Sequence, residues 1–139
     1  MSVVVVDASV AVKWFLPEPH AEAARRVLKG RGPLLAPDLI WAEVGNVLWK
    51  KVQRGELAPE AAYAILADFK HFPLQTFAAK ALLDAAWELA TRLRRSVYDS
   101  LYLALAISRN GRLVTADLQF FNALKGGPFA TTLTWVERV

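Results

Sequence analysis

The sequence predicts an α/β fold in which helices cover both faces of a parallel sheet. The run Val3-Val4-Val5-Val6 contains four consecutive β-branched residues without polar alternation, which is typical of a strand buried on both faces. Short apolar runs of this kind then alternate along the chain with longer helical patterns. Such alternation indicates βαβ crossovers, and therefore a parallel sheet between two layers of helices.

The first half of the chain begins with the strand at 3–6 and a helix at 8–16, which Pro17 and Pro19 end. A second helix at 20–29 ends at a Gly- and Pro-containing turn, and a short strand follows at 34–36. Pro37 is expected to open a long helix that reaches residue 54, because proline suits the first helical turn. Gly55 then occupies the position where a helix-ending glycine is common.

The second half continues the same alternation. Pro59 starts a helix to about residue 71, and residues 74–77 form a weaker strand candidate. An amphipathic helix at 79–94 and an apolar helix at 98–109 come next, followed by a strand at 113–115. A short helix to about residue 124 and a last strand near 132–136 complete the prediction.

Composition limits the class of protein. A chain of 139 residues fits one domain over 1–139, and no apolar run approaches the ~20 residues that a membrane span needs. The absence of cysteine excludes disulfides and cysteine-based zinc sites, and no secretory signal pattern is visible, so we expect a cytoplasmic protein that is not bound to membranes. The net charge of +4 is compatible with a polyanionic partner.

Four acidic residues stand out from the others by their context. Asp7 and Asp117 each follow a predicted strand, so both should lie at the same edge of a parallel sheet, where such sheets bind ligands. Asp99 lies in the first turn of an apolar helix. Glu43 lies at the margin of the apolar arc of the long helix, and Asn46, three residues later, points the same way.

Each acid also has a purely structural interpretation. Asp7 and Asp117 are suited to capping the helices that follow them. Ser96 and Asp99 fit a capping box, in which the carboxylate serves only the start of the helix. Glu43 is also compatible with an ordinary surface position, and these alternatives stay open for each residue taken alone.

Convergence of the four acids would point to a metal ion. Two carboxylates ~4 Å apart repel each other by about 4 kcal/mol at an effective dielectric constant of 20. Four together must take up protons or bind a cation, and oxygen-only ligands suit Mg²⁺ or Mn²⁺. A metal of this kind activates water and neutralises charge on a phosphodiester, which is what metal-dependent nucleases require.

Four motifs resemble those of PIN-domain ribonucleases, most closely the VapC-type toxins of toxin–antitoxin pairs. They are Val-Val-Val-Asp7-Ala-Ser9, Pro37-Asp-Leu-Ile-Trp-Ala-Glu43-Val-Gly-Asn46, Tyr98-Asp99-Ser-Leu-Tyr-Leu-Ala-Leu-Ala106 and Leu113-Val-Thr115-Ala-Asp117. The resemblance spans the chain and keeps the order and approximate spacing of the four acids. It implies a three-layer domain with a central parallel sheet of about five strands.

The resemblance also implies an activity, a cofactor and partners. It implies an endoribonuclease that uses Mg²⁺ or Mn²⁺ to cleave RNA, that forms a homodimer and that is blocked by a cognate antitoxin. Matched motif by motif, the acidic residues, which are also the candidate metal ligands, are Asp7, Glu43, Asp99 and Asp117. The matched polar residues that would orient them by hydrogen bonds are Ser9, Asn46 and Thr115.

Two further features bear on binding. The predicted helix pair between residues 37 and 71 is apolar enough to hold a partner helix in a groove. Arg92, Arg94 and Arg95 form a basic cluster that we expect at a helix C-terminus, where positive charge is favourable.

Other functions compatible with this reading are a stand-alone RNA-processing PIN nuclease and a catalytically inactive binding domain. A phosphoacceptor signalling module is disfavoured, because Asp7 has no acidic neighbour and the segment from 113 to 117 has no lysine.

Overall fold

The computed structural model describes residues 3–139. Its strands are β1 (Val4–Val6), β2 (Leu34–Pro37), β3 (Gln75–Phe77), β4 (Arg112–Thr115) and β5 (Leu133–Trp135). Its α-helices are α1 (Ala8–Ala11), α2 (Ala21–Arg26), α3 (Leu39–Gln53), α4 (Pro59–Lys70), α5 (Ala79–Leu93), α6 (Val97–Ser108) and α7 (Leu118–Leu124). The predicted α/β class and the sheet of five strands are thereby confirmed.

All strand pairs in the sheet are parallel, in the order β3-β2-β1-β4-β5. The chain therefore builds outwards from β1 in one direction through β3, then crosses back to add β4 and β5 on the other side. Because crossovers between parallel strands are right-handed as a rule, this strand order implies that α1 to α4 lie on one face of the sheet and α5 to α7 on the other. The reversal of direction falls between β1 and β4, and open α/β sheets bind their ligands at this point.

The core is formed by the apolar strands and by helix α6. Residues 100–106 of α6 are all buried, and the helix contacts β1, β2 and β4 while α5 packs on its outer side. This burial on all sides explains why the sequence of α6 shows no clear polar face. Within residues 3–139 no helix is both long and apolar enough to span a membrane.

The prediction was wrong about Pro37, which ends β2 instead of opening α3. Pro37 pairs with Phe77 of β3, while the described pairing of β2 with β1 ends at Leu35, so the missing N–H of proline breaks no ladder on that side. Asp38 stands at the start of α3 but does not cap it. Its Oδ1 accepts a hydrogen bond from the Ala79 N–H at 3.0 Å and so ties α3 to α5.

Two predicted helices are shorter than expected because they end in 3₁₀ turns. Helix α1 gives way to a 3₁₀ turn at Val12–Trp14, and α2 gives way to one at Val27–Lys29. The other predicted boundaries agree with the structure within one or two residues. Gly55 has φ +71°, the left-handed conformation expected of a glycine that ends a helix.

Gly111 marks the close approach of two chain segments at the start of β4. A Cβ atom at this position would lie 2.6 Å from the carbonyl oxygen of Val3, and the next residue, Arg112, donates its N–H to the same oxygen at 3.0 Å. The chain entering β1 and the chain entering β4 therefore touch where only glycine fits.

We predict that Gly111→Ala lowers the free energy of unfolding by about 1–3 kcal/mol, because the added methyl group must displace backbone. Gly45→Ala is the matched control. Gly45 lies inside α3 with nothing within 4 Å of its Cβ position, so alanine should raise the free energy of unfolding by roughly 0.5–1 kcal/mol. Urea denaturation of both variants tests the pair. Equal stability of the two variants would contradict the close approach.

Candidate active site

The Asp7 side chain is the buried centre of the site. It follows β1 directly, is 7% exposed, and caps α1 by accepting a hydrogen bond from the Val10 N–H at 3.2 Å. Two hydroxyl groups also donate to its carboxylate: Ser9 Oγ to Oδ1 and Thr115 Oγ1 to Oδ2, each at 2.5 Å. The capping and the functional interpretations of Asp7 are therefore compatible with each other.

The same hydroxyl groups join the end of β4 to the end of β1. Ser9 Oγ accepts from the Ala116 N–H, and Thr115 Oγ1 accepts from the Asp117 N–H, both at 3.0 Å. Asp117 caps α7 through its Oδ1, which accepts from the Phe120 N–H at 3.1 Å, and its side chain is exposed. Asp7 and Asp117 thus lie at one sheet edge, as predicted, with Thr115 between them.

Burial makes the negative charge of Asp7 costly. Loss of hydration raises the pKa of this carboxyl to about 6 from its ordinary value of 3.8, and the negative charge of Asp117 adds to the rise. The hydrogen bonds from Ser9, Thr115 and Val10 oppose it only in part. Within residues 3–139 no cationic side chain pairs with Asp7.

Glu43 meets Tyr102, a residue that the sequence analysis missed. Glu43 is half-buried, and its Oε1 accepts a hydrogen bond from the Tyr102 hydroxyl at 2.5 Å. Burial raises the pKa of Glu43, and the negative charge of Asp99 contributes to the rise. The pKa of Tyr102 is raised by burial and by the charges of Glu43, Asp7 and Asp99, so its hydroxyl stays protonated and acts as a donor.

Asp99 faces a second residue that was not expected here, Arg95. The backbone N–H of Asp99 donates to Ser96 Oγ at 3.0 Å, which is one half of the capping box. The carboxylate does not complete the box, because its Oδ2 accepts from Arg95 Nη2 at 2.9 Å. Arg95 was predicted to lie at a helix C-terminus, but α5 ends at Leu93 and Arg95 belongs to the following loop.

A cavity of about 470 Å³ lies beside Glu43. Asn46 lines it together with Glu43, so the two residues share one side of α3 as predicted. Lys50 and the exposed Tyr98 also line it, and neither was among the predicted site residues. Asn46 makes no side-chain hydrogen bond within the described chain, so its supporting role remains a prediction.

The charges of the four predicted acids act on one another in two pairs. Beyond the effect of burial, the negative charge of Asp117 raises the pKa of Asp7 and that of Asp99 raises the pKa of Glu43, while the charges of Glu43, Asp7 and Asp99 all raise the pKa of Tyr102. Within residues 3–139, however, no group of three or more His, Asp or Glu side chains is close enough to hold a metal ion between them. We call the region around Asp7, Glu43, Asp99 and Asp117 the acidic cleft. Its carboxylates form no preformed cage for a metal ion within the described residues.

The raised pKa of Asp7 predicts how stability depends on pH when metal is removed by EDTA. The folded protein binds this proton more tightly than the unfolded chain, so the contribution of Asp7 to stability is fully present below about pH 4 and is lost as the pH rises through about 6. Asp7→Asn lacks this loss. The variant should match the wild type near pH 4 and exceed it by up to about 3 kcal/mol at pH 8.

Denaturant titrations of the two proteins across this pH range provide the measurement. If the curves of stability against pH run parallel for the two proteins, a raised pKa of Asp7 in the folded state is contradicted.

Comparison with known proteins identifies the family. The model of the PIN domain matches residues 4–125, which is most of the chain. The ribonuclease VapC3 of Pyrobaculum aerophilum is 36% identical over 117 residues, which cover 83% of this chain and 89% of the relative.

Solved structures share the fold. A protein from Pyrobaculum aerophilum superposes with a TM-score of 0.71 at 24% identity, covering 98% of this chain and 85% of the other. A toxin–antitoxin complex from Klebsiella pneumoniae gives a TM-score of 0.63 at 13% identity, covering 98% of this chain and 99% of the other. The chain therefore belongs to the PIN-domain family, within the group of VapC ribonucleases.

Proposed function

We propose that this protein is a divalent-metal-dependent endoribonuclease that acts as the toxin of a toxin–antitoxin pair. The observation that carries the proposal is Asp7, a buried carboxylate at the switch point of the sheet with no cationic partner in the described chain. Its charge becomes favourable once a cation enters the cleft. The ribonuclease VapC3 supports the activity, and the Klebsiella complex supports the role as a toxin.

The side chains present fit Mg²⁺ or Mn²⁺. The donors are carboxylate and hydroxyl oxygens, which hard divalent ions prefer. Mg²⁺ is commonly bound by one or two carboxylates, with water and substrate phosphate supplying the other ligands, so a cage of three carboxylates is not required. We assign Asp7 and Asp99 as direct ligands, with Glu43 and Asp117 completing the acidic site.

Each residue then has a distinct task. A bound divalent ion would acidify a water molecule and neutralise charge on the scissile phosphate. Ser9 and Thr115 fix the orientation of Asp7 by holding both of its oxygens. Tyr102 holds Oε1 of Glu43 and leaves Oε2 open, and the raised pKa of Glu43 suits this oxygen to accept a proton from water.

The cleft also offers contacts for RNA. Lys50 lines the cavity beside Glu43 and suits a backbone phosphate, and the ring of Tyr98 is 61% exposed next to Asp99, where a base can stack.

For activity, we predict that Asp7→Asn lowers the rate of metal-dependent RNA cleavage about a hundredfold or more while the fold is kept. Asp84→Asn is the matched control, because Asp84 is an exposed acid on α5 outside the cleft and its substitution changes the net charge equally. Cleavage of RNA in Mg²⁺ or Mn²⁺, with circular dichroism as a check of folding, gives the answer. Full activity of Asp7→Asn at equal metal would remove Asp7 from the site.

We further propose that an antitoxin helix binds in the groove between α3 and α4. An apolar cavity of about 540 Å³ lies there, lined by Trp41, Ala42, Leu66 and Lys70. It falls within the helix pair that the sequence analysis singled out. The proposed homodimer is supported by exposed apolar side chains such as Leu83 and Trp87 on α5.

The groove gives a separate prediction. Leu66→Asp should weaken binding of the proposed cognate antitoxin by about tenfold or more, because it places a charge in an apolar contact. Ala64→Asp introduces the same charge at an exposed position of α4 and should bind normally. Calorimetric titration measures both affinities, and equal binding by the two variants would exclude this groove.

A further inference from the structure

Arg95 is the one cation paired with a carboxylate of the acidic cleft within residues 3–139. Its Nη2 donates to Asp99 Oδ2 at 2.9 Å, and its guanidinium carbon lies 5.4 Å from the centre of the Phe120 ring. The side chain is 22% exposed, so the pair is only partly screened by water. Phe120 belongs to α7, the helix that Asp117 caps, so the guanidinium contacts both Asp99 and this helix.

The hydrogen bonding of Arg95 is incomplete. Its Nε is buried and has no hydrogen-bond partner within the described chain. A guanidinium carries five N–H donors, and an unpaired buried donor is unfavourable, so this position is not an optimal resting place for the group. Asp99 likewise uses only Oδ2 towards Arg95 and accepts no side-chain hydrogen bond at Oδ1 in residues 3–139.

Asp7 and Asp99 therefore differ in their counter-ions. Asp7 is held by neutral hydroxyl groups, whereas Asp99 is already neutralised by a side chain of the same protein. A divalent ion that binds Asp99 meets a positive charge on the other oxygen of the same carboxylate. The two cations repel each other across a partly buried site.

We propose that Arg95 is a built-in counter-ion that competes with the divalent metal for Asp99. In the metal-free protein it neutralises Asp99 and weakens metal binding, and metal entry displaces it. The inference rests on the proposed function, since it requires a metal at Asp99. Arg95 is then a positioning residue, because it acts through Asp99.

Once displaced, the guanidinium can donate hydrogen bonds to a phosphodiester of the substrate. Its planar set of donors matches the oxygens of a phosphodiester, and its unpaired Nε adds a donor that Asp99 leaves unused. A phosphodiester that draws Arg95 away from Asp99 favours metal binding there. By linkage, metal must favour binding of the phosphodiester to the same extent.

The test measures Mn²⁺ affinity of the full chain by electron paramagnetic resonance without nucleic acid. Arg95→Met should bind Mn²⁺ about fivefold or more tightly than the wild type. Arg92→Met is the matched control, because Arg92 is exposed in the last turn of α5, has no ion pair within residues 3–139, and loses the same charge. Thermal melting verifies that both variants fold.

A second measurement adds a single-stranded DNA of eight nucleotides as the phosphodiester probe. It should tighten Mn²⁺ binding to the wild type and have little effect on Arg95→Met. Unchanged or weaker Mn²⁺ binding by Arg95→Met, or equal coupling in both proteins, overturns the proposal.

Asp99→Asn separates this inference from the proposed function. If wild type and Asp99→Asn bind Mn²⁺ equally, there is no metal at Asp99, and the proposed metal site fails together with the inference. If Asp99→Asn weakens Mn²⁺ binding while Arg95→Met behaves like the wild type, only the inference about Arg95 fails.

Discussion

Folding buries the carboxylate of Asp7 without giving it a cationic partner in the described chain, and the rest of the site is arranged around this charge. Ser9 and Thr115 supply hydrogen bonds that hold the carboxylate in place but do not neutralise it. At neutral pH the group therefore remains an unfavourable buried anion until a proton or a metal ion arrives. A stability cost kept at one position is common where a protein needs that position for function.

The topology explains why other acidic residues are brought to the same edge of the sheet as Asp7. The chain turns back between β1 and β4, so the residues that follow these two strands meet at one edge of the sheet. Thr115 is fully buried and contacts both sides, donating to Asp7 and accepting from the backbone of Asp117. Helix α6 then brings Tyr102 and Asp99 towards this edge, and α3 brings Glu43.

Helix capping by Asp7 and Asp117 does not exclude the roles proposed for them. Asp7 and Asp117 each cap a helix that starts at the sheet edge, and the cap is what aims each carboxylate. Asp117 uses Oδ1 for its cap, and within residues 3–139 its Oδ2 accepts no hydrogen bond. For Asp117, the cap fixes one oxygen and leaves the other available to the proposed metal site.

Much of this arrangement could be predicted from the sequence, because strand and helix periods differ and the acids follow the strands directly. The contact made by Tyr102 could not be predicted, because its place in an apolar helix is typical of a core residue. The available signal was its position three residues after Asp99, which puts both side chains on one side of the helix. Arg95 reads as the end of the preceding helix, and only the three-dimensional path of the loop turns it towards Asp99. The prediction that Pro37 opens a helix was wrong because proline suits both the start of a helix and the end of a strand.

Anomalous diffraction from crystals soaked in Mn²⁺ tests the central claim most directly, because it locates the metal independently of activity. We expect a strong anomalous peak at coordination distance, about 2.0–2.2 Å, from a carboxylate oxygen of Asp7, with Asp99 as a second ligand. A peak that lies away from Asp7 would contradict a metal site at this carboxylate, and so would the absence of metal around Asp7 at saturating Mn²⁺ while both hydroxyl partners stay in place.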